Sequence, residues 1–300
     1  MSPEMRRLIT GAGVDVTVVL HAGAGQEALA DLVAALKTQE VPFVREIVAL
    51  DSGWPESTRA MLKAGGVRVV DMERGKPFLR QAMKAAAGDV LVLVSQDTVP
   101  LSPGWLYGLA TPLLDDVGIG MSSGRLIADA AVPPYQRGII TARPYLSGKQ
   151  RIVFESASGG PGALFVPATN CALSRRAWRR AGEVEQVGAD LAGKLYAAGF
   201  RRVYLPAPAA VVRSGELVGE FVARQTAGES DRSVPLFKAV VRRLAMLGRE
   251  LVELNAHGDL ASGERGEAYA VSFALHGARL VQAVQARATS PLRNLRDRKG

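Results

Sequence analysis

Short apolar runs alternate with amphipathic segments through the first part of the chain. The apolar runs are rich in Val and Leu, and they span Val14 to Leu20, Glu46 to Leu50, Val67 to Val70 and Val90 to Val94. The segments between them carry apolar residues at helical spacing, and they cover Glu27 to Leu36, a stretch that ends near Leu62, and Arg80 to Ala87. Strands that are apolar on both faces and alternate with helices predict an α/β fold, with a mostly parallel sheet flanked by helices.

The regular alternation stops at about Gly118. The stretch from Gly118 to Gly162 contains several Pro and Gly residues, which predicts a loop-rich insertion. Beyond it the pattern predicts two strands and two helices, which are Gly162 to Val166, Val203 to Leu205, Arg175 to Ala181 and Leu191 to Ala198. After Leu217 helical patterns dominate, at Phe237 to Leu254 and Ala268 to Ala286. We therefore expect one α/β domain over 14–217 and a helical C-terminal extension over 218–300.

Composition adds a globular, intracellular expectation. The 300 residues are 48% hydrophobic and 22% charged, which is typical of a soluble enzyme with one large core. The single cysteine, Cys171, cannot form an intrachain disulfide, so the cytoplasm is the expected compartment. The first residues lack the apolar run of a secretory signal, and we find no run of about 18 apolar residues that predicts a transmembrane helix.

The net charge of +8 is concentrated in the tail, where residues 231–300 hold twelve Lys and Arg against seven Asp and Glu. The basic residues lack the aromatic interleaving and motif spacing of nucleic-acid binders, so we expect no nucleic-acid partner. The tail segment that starts at Phe237 places Arg242, Arg243 and Arg249 among apolar residues at helical spacing. Two interpretations stay open: an amphipathic helix docked on the core, or a basic face that makes peripheral contact with the inner face of the membrane.

Two aspartates follow predicted strands and are candidates for chemistry. Asp51 ends the run EIVAL, and Asp97 follows VLVLV within SQDTVP. Ligands of parallel α/β sheets bind at the carboxyl ends of the strands, so we expect both side chains to converge on one crevice. A carboxylate there can accept hydrogen bonds from a nucleotide or hold a divalent metal on its phosphates. The structural alternative for Asp51 is an Asx-turn or a helix cap.

These segments resemble the inverting family 2 glycosyltransferases, which have the GT-A fold, and most closely their rhamnosyltransferase-like branch. The resemblance rests on VDVTVVL, IVALDSGWPEST, RQAMKAAAGD, SQDTVPLSPGWL and ATNCALSRRAWRRAG, between about Asp15 and Ser214. It implies that Asp51 contacts the nucleotide base and that Arg80 lies near the nucleotide. It also implies that Gln96 and Asp97 replace an Asp-x-Asp signature, with Asp97 on Mg²⁺ or Mn²⁺. The alternative for Arg80 is a surface arginine.

The end of the first strand belongs to the same implied site. The resemblance assigns Leu20 and His21 to nucleotide-sugar binding, although His21 begins HAGA where the family has Pro-Thr-Tyr-Asn. A strand-end structural role is the alternative for His21. The same HAGAGQEA also fits a short dinucleotide-binding fingerprint with Asp51 as the ribose acid, but the spacing is longer than usual and leaves SQDTVPLSPGWL unexplained.

The catalytic base is the main departure from the family. An ungapped count back from Ala198-Gly199-Phe200 places the usual Glu-Asp pair on Val187 and Gly188, which cannot accept a proton. If two residues were lost from the helix, Asp190 is the base instead; the alternative is a carboxylate favoured by the helix dipole. A further departure is Arg213, which stands after AVV where the family often has histidine.

Three other residues are expected to pack rather than react. Cys171 has no neighbouring histidine in sequence and lies in an apolar stretch, so it is expected to be a buried small hydrophobe. Trp105 and Trp178 are interpreted as packing residues rather than sugar platforms.

The resemblance implies an inverting, metal-dependent glycosyltransferase. Its donor would be a nucleotide-sugar such as dTDP- or UDP-rhamnose, and its acceptor a hydroxyl of a surface glycan or a lipid-linked glycan. Because the Glu-Asp pair is missing, a non-catalytic protein that binds a nucleotide-sugar or a partner enzyme is the alternative.

Overall fold

The computed structural model describes residues 14–21, 26–43, 45–73, 75–130, 143–159 and 162–213, with a few isolated positions besides these. The chain divides into two compact units, one made of Met1–Asp129 with Arg143–Arg213 and the other of Ala130–Ala142 with Ser214–Gly300. Almost all of the second unit lies outside the described residues, and so do most of the two predicted tail helices.

The first half of this unit repeats strand and helix. In chain order the elements are β1 (Val16–His21), α1 (Gln26–Lys37), β2 (Arg45–Asp51), α2 (Glu56–Ala64), β3 (Arg68–Asp71), α3 (Phe78–Ala85), β4 (Val90–Ser95), β5 (Thr98–Pro100) and α4 (Trp105–Asp115). The four strands and three helices that the apolar pattern predicted here are confirmed, and their ends differ from the prediction by at most two residues.

The second half is less regular. It contains β6 (Ile119–Ala128), α5 (Pro144–Ser147), β7 (Ile152–Phe154), β8 (Cys171–Ser174), α6 (Arg175–Arg180), α7 (Ala189–Ala197) and β9 (Arg201–Val212). The two predicted helices near Arg175 and Leu191 are confirmed as α6 and α7. The strand predicted at Val203 to Leu205 is confirmed and is longer, because it is the twelve-residue β9.

All nine described strands form one sheet in the order β3-β2-β1-β4-β8-β6-β9-β5, and β7 pairs with β9. Strands β3, β2, β1 and β4 are parallel to one another, as the alternation predicted. Beyond β4 the pairing is mixed, because β8 runs antiparallel to both β4 and β6, and β9 runs parallel to β6 but antiparallel to β5 and β7. The parallel half therefore places four carboxyl ends at one edge.

Helices cover both faces of the sheet. Apolar residues of α1, α2 and α4 pack on one face, where they meet Val16, Val18 and Leu20. Those of α3, α6 and α7 pack on the other face, where they meet Val19. Because successive residues of a strand point to opposite faces, β1 is buried on both sides and is a central strand of the core. The α/β fold with a central sheet flanked by helices is thereby confirmed.

Two predictions for the middle of the chain are wrong. Residues 119–128 form the ten-residue strand β6, whereas a loop-rich insertion was predicted from residue 118. The polar Ser122 and the small Gly124 interrupt the apolar pattern by which a strand is recognised. The Ser122 hydroxyl donates to the Leu109 carbonyl at 2.6 Å, and a Cβ at Gly124 would clash with the Pro208 carbonyl oxygen. The small and polar residues thus serve close packing. Residues 162–166 form a turn and an extended segment instead of the predicted strand.

No helix within the described part of the chain is long and apolar enough to cross a bilayer.

Candidate functional site

Three parallel strands end side by side at the edge where the sequence placed its candidate site. His21, the last residue of β1, lies opposite Leu50 of β2 and Ser95 of β4. The amide of Gln96 continues this pairing by donating to the His21 carbonyl at 3.1 Å. Since neighbouring strands are about 4.8 Å apart, Asp51 and Gln96 flank β1 at a separation of about 10 Å. This short stretch of the sheet edge therefore carries five residues of the predicted site, which are Leu20, His21, Asp51, Gln96 and Asp97.

The turn after β4 is anchored through its first residue. The Ser95 amide donates to the Thr169 hydroxyl at 2.9 Å, and the Ser95 and Thr98 hydroxyls are 3.0 Å apart. Within the described residues no hydrogen bond or ion pair engages the Asp97 carboxylate, and Oε1 of Gln96 is buried without a hydrogen-bond partner. Buried polar atoms are nearly always paired in folded proteins, so the unpaired Gln96 Oε1, next in sequence to the half-buried Asp97, marks a place for a ligand.

The turn after β2 is organised in the opposite way. Asp51 is 2% exposed, and its Oδ1 accepts hydrogen bonds from the amides of Gly53 at 2.6 Å and Trp54 at 2.7 Å. Its Oδ2 lies 2.5 Å from the Arg59 guanidinium, an ion-pair contact without hydrogen-bond geometry. The Asx-turn alternative describes this arrangement. A nucleobase contact by Asp51 would require its carboxylate to exchange Arg59 for the base.

Arg59 and Asp71 are the polar groups that this part of the edge presents to solvent. Arg59 also contacts Oδ1 of Asp71 at 2.9 Å, and the Asp71 side chain is 78% exposed at the end of β3. Neither residue was identified from the sequence. The signal was present, because Asp71 ends an apolar run just as Asp51 does, but the run is short.

The end of β1 contributes one buried and one exposed side chain. Leu20 is fully buried, so only its main chain is available to a nucleotide. The His21 ring is exposed and lies 4.6 Å from the Phe78 ring, between centroids, at the start of α3. The Gly-rich turn at 22–25, on which the dinucleotide alternative depends, lies outside the described residues.

The remaining predicted residues stand apart from this group. Arg80 on α3 pairs with Glu185 at 2.9 Å, and both side chains are more than half exposed. Asp190, the candidate base, is 69% exposed at the start of α7 and pairs with Lys194 at 3.0 Å, one turn further along the same helix. The structure thus links Arg80 to the segment before α7, and it pairs Asp190 with its own helix and not with the sheet edge.

Residues interpreted as packing are buried. The Cys171 thiol is fully buried, and burial raises its pKa to about 12, which leaves it without nucleophilic thiolate at neutral pH. The indole of Trp105 donates to Oδ1 of Asn170 at 2.7 Å, and that of Trp178 donates to the Val184 carbonyl at 2.8 Å. Asn170 also donates to the Arg125 carbonyl at 2.8 Å, so this network holds β6, β8 and α4 together behind the site.

A buried arginine shapes the segment on the far side of β9. Arg202 is 3% exposed, and its guanidinium donates to the carbonyls of Ala163 and Phe165. Burial lowers the pKa of Arg202, and the Tyr196 hydroxyl opposes that shift. Because its two terminal amino groups donate to main-chain oxygens, Arg202 fixes the position of residues 162–165.

A metal ion at this edge would need further coordinating oxygens from the substrate and from water. No group of three or more His, Cys, Asp or Glu side chains within the described residues could hold an ion. Mg²⁺ and similar hard cations commonly bind through one or two protein oxygens together with substrate phosphates and water. Asp97 and Gln96 fit that mode and do not form a self-sufficient cage.

Comparisons with known proteins agree with this fold. No protein-family model matches the chain. A glucosyl-3-phosphoglycerate synthase of Mycolicibacterium smegmatis is 29% identical over 123 residues, which cover 38% of this chain and 41% of that protein. The protein of the same name from Mycobacterium tuberculosis is 30% identical over 121 residues, which cover 36% of each chain. The chain thus spans only about two fifths of the length of the curated relatives that it matches.

The solved structure of S. aureus TarS 1-349 in complex with UDP-GlcNAc superposes with a TM-score of 0.51 at 14% sequence identity, and the match covers 88% of this chain and 73% of that chain. The fold is accordingly of the GT-A type.

Proposed function

We propose that the chain binds a nucleoside-diphosphate sugar at the carboxyl edge of β2, β1 and β4 and transfers the sugar to a hydroxyl group. The observation that carries this proposal is the turn after β4, where the Asp97 carboxylate and the buried Gln96 Oε1 have no partners among the residues that the structure describes. The GT-A fold and the curated relatives, whose name describes a glucosyl product, support the same function. Residues 14–217 would form the transferase domain and 218–300 its helical extension.

The residues at the edge would contact different parts of the nucleotide-sugar. Asp97, with Gln96 beside it, would hold a divalent cation such as Mg²⁺ or Mn²⁺, which when bound neutralises charge on the diphosphate. Asp51, His21 and the Leu20 main chain would line the nucleoside end. Arg80 would add a positive charge from α3, in exchange for or together with its contact to Glu185, because an exposed pair is weak enough to rearrange.

The transfer would be a single inverting displacement at the anomeric carbon. The acceptor oxygen forms the new bond while the bond to the diphosphate oxygen breaks, and the acceptor proton passes to a carboxylate. Asp190 is the proposed base, and it must release Lys194 to serve, at little cost because the pair is exposed. Asp190→Asn should abolish turnover and leave nucleotide affinity unchanged. A fully active variant would remove Asp190 from the mechanism.

The donor and acceptor are a finer part of the proposal. The rhamnosyltransferase-like resemblance favours a deoxyhexose on dTDP or UDP, with a surface or lipid-linked glycan as acceptor. The name of the curated relatives favours a glucosyl group and 3-phosphoglycerate. Transfer assays with dTDP-rhamnose and with UDP-glucose, each with a glycan acceptor and with 3-phosphoglycerate, separate these two branches.

The deciding experiment is calorimetric titration of the chain with dTDP, UDP, GDP and NAD, each with and without Mn²⁺. We expect a nucleoside diphosphate to bind more tightly with Mn²⁺. Binding of NAD alone would favour the dinucleotide alternative, and no binding of any nucleotide would overturn the proposed site.

A second candidate function is nucleotide-sugar binding without transfer. The observation that favours it is the segment before α7, where Val187 and Gly188 stand in place of the acidic pair and Asp190 faces Lys194. Tight, metal-dependent nucleotide binding combined with neither transfer nor donor hydrolysis across the assay panel would establish this function in place of catalysis.

A further inference from the structure

We propose that Arg213 is a second cation of the donor site and that it shares the diphosphate charge with the metal at Asp97. This inference rests on the proposed function, because it assumes that a diphosphate lies at the turn after β4. It gives a role to Arg213, which in the sequence is only a departure from the histidine that the family often has.

The position of Arg213 follows from a β-ladder. Strands β5 and β9 are antiparallel with Thr98 opposite Val212, and the next pair outward is Asp97 opposite Arg213. The Arg213 amide donates to the Asp97 carbonyl at 2.7 Å, which extends the ladder by that pair. Residues directly opposite each other in an antiparallel ladder point to the same face with Cβ atoms about 5 Å apart. Arg213 and Asp97 therefore share one face of the site edge.

The two side chains nevertheless do not pair. The Arg213 guanidinium lies 2.5 Å from Oδ2 of Asp31 on α1, and the Asp97 carboxylate has no protein partner within the described residues. Opposite charges on neighbouring cross-strand positions normally attract each other. Asp31 thus holds the Arg213 guanidinium, and the Asp97 carboxylate is left open for a ligand.

The contact that holds Arg213 is weak enough to exchange. Both side chains are largely solvated, with Arg213 42% and Asp31 60% exposed, and exposed ion pairs add little stability. A phosphate is a stronger partner, because a guanidinium can donate two parallel hydrogen bonds to it. A nucleoside diphosphate also carries more negative charge than one divalent cation neutralises. A bound diphosphate can therefore draw Arg213 from Asp31.

The strand β9 provides a matched control. Arg201 is the first residue of β9, whereas Arg213 directly follows its last residue. Like Arg213, Arg201 is 42% exposed, and it pairs with the exposed Asp116 at 2.7 Å. Removing either guanidinium costs the same net charge and a similar ion pair. Only Arg213 lies at the carboxyl edge with Asp97.

The test uses whichever of UDP, dTDP and GDP binds the full chain most tightly, titrated by calorimetry in excess EDTA and again in Mn²⁺. Arg213→Gln should weaken binding at least about tenfold, the loss of one charge-assisted contact, and Arg201→Gln should stay within about twofold of the unmodified chain. Arg213→Lys should recover part of the loss. Thermal unfolding of each variant confirms that it is folded.

Asp31→Asn tests whether the charge of Arg213 matters for binding or only its ion pair with Asp31 does. It removes the competing carboxylate and keeps Arg213, so nucleotide binding should be equal or tighter. A loss equal to that of Arg213→Gln would overturn the inference, since the pair would then be structural. Equal affinities of Arg213→Gln and Arg201→Gln would overturn it too, while leaving the proposed function intact. Failure of the unmodified chain to bind any nucleoside diphosphate would remove both proposals together.

Discussion

The turns after β2 and β4 lie at the same edge of the sheet, each begins after an apolar strand, and each carries an aspartate, yet they use that aspartate differently. Asp51 is buried, and both of its oxygens face protein groups, namely two turn amides and Arg59. Asp97 is half-buried, and within the described residues its oxygens face none.

The difference separates stability from binding. A buried carboxylate whose oxygens are turned to protein groups stabilises the turn that it belongs to, and a ligand can reach it only by displacing Arg59. A half-buried carboxylate that no protein group engages within the described residues is open to a ligand and contributes little to stability. Substitution by alanine is therefore expected to lower mainly the stability at Asp51 and mainly ligand binding at Asp97.

The largest effect on stability is expected for Asp51→Ala. The change removes the buried acceptor of the Trp54 amide and the buried one of the two carboxylates that pair with Arg59, so the free energy of unfolding should fall by about 2–4 kcal/mol. Chemical denaturation measures this loss. Asp71→Ala is the matched control, because it also removes a partner of Arg59 but at a carboxylate that is 78% exposed, and it should change stability by less than about 0.5 kcal/mol. Equal losses in the two variants would contradict the structural role of Asp51.

A smaller free-energy effect, visible in binding, is expected for Asp97→Ala. The variant should unfold within about 0.5 kcal/mol of the unmodified chain, because the carboxylate has no hydrogen bond or ion pair to lose in the described part of the chain. Its affinity for a nucleoside diphosphate in Mn²⁺ should fall at least about tenfold, or about 1.4 kcal/mol. Calorimetry with and without Mn²⁺ reports this difference. An unchanged response to Mn²⁺ would show that the metal, if it binds, is held elsewhere.

The smallest effect is expected at the other end of β2, where Glu46 offers a third carboxylate for the comparison. Its oxygens accept from the Thr17 hydroxyl at 2.7 Å, the Ala87 amide at 2.6 Å and the Arg68 guanidinium at 2.9 Å. Partial burial alone would raise the pKa of Glu46, but these hydrogen bonds and the charge of Arg68 outweigh it and hold the pKa below its usual range.

A depressed pKa means that Glu46 stabilises the fold above its unfolded pKa and that this contribution is lost as the pH falls through the folded pKa. Glu46→Gln should therefore cost up to about 1 kcal/mol at neutral pH. The difference between the variant and the unmodified chain should be constant above about pH 5 and shrink as the pH falls toward 3. Urea denaturation across this range measures it, and a difference that grows at low pH would contradict the assignment.

Local patterns in the sequence were sufficient for the parallel half of the sheet. Runs such as EIVAL and VLVLV are apolar on both faces and are bounded by turn residues, so they predict β2 and β4 without knowledge of their neighbours. The same patterns failed for β6, because Ser122 and Gly124 are suited to a close approach of Leu109 and Pro208, and that approach exists only in the folded protein.

The sequence by itself thus determined the α/β alternation, the edge at which a ligand would bind, and the two aspartates that end there. Only the tertiary structure decided that Asp51 turns inward to Arg59, that Asp97 stays open, and that Arg213 reaches Asp31, which lies 182 positions earlier in the chain. The physical reason is that burial periodicity is a property of neighbouring residues. The partner that satisfies a charge, by contrast, depends on which distant segments the fold brings together.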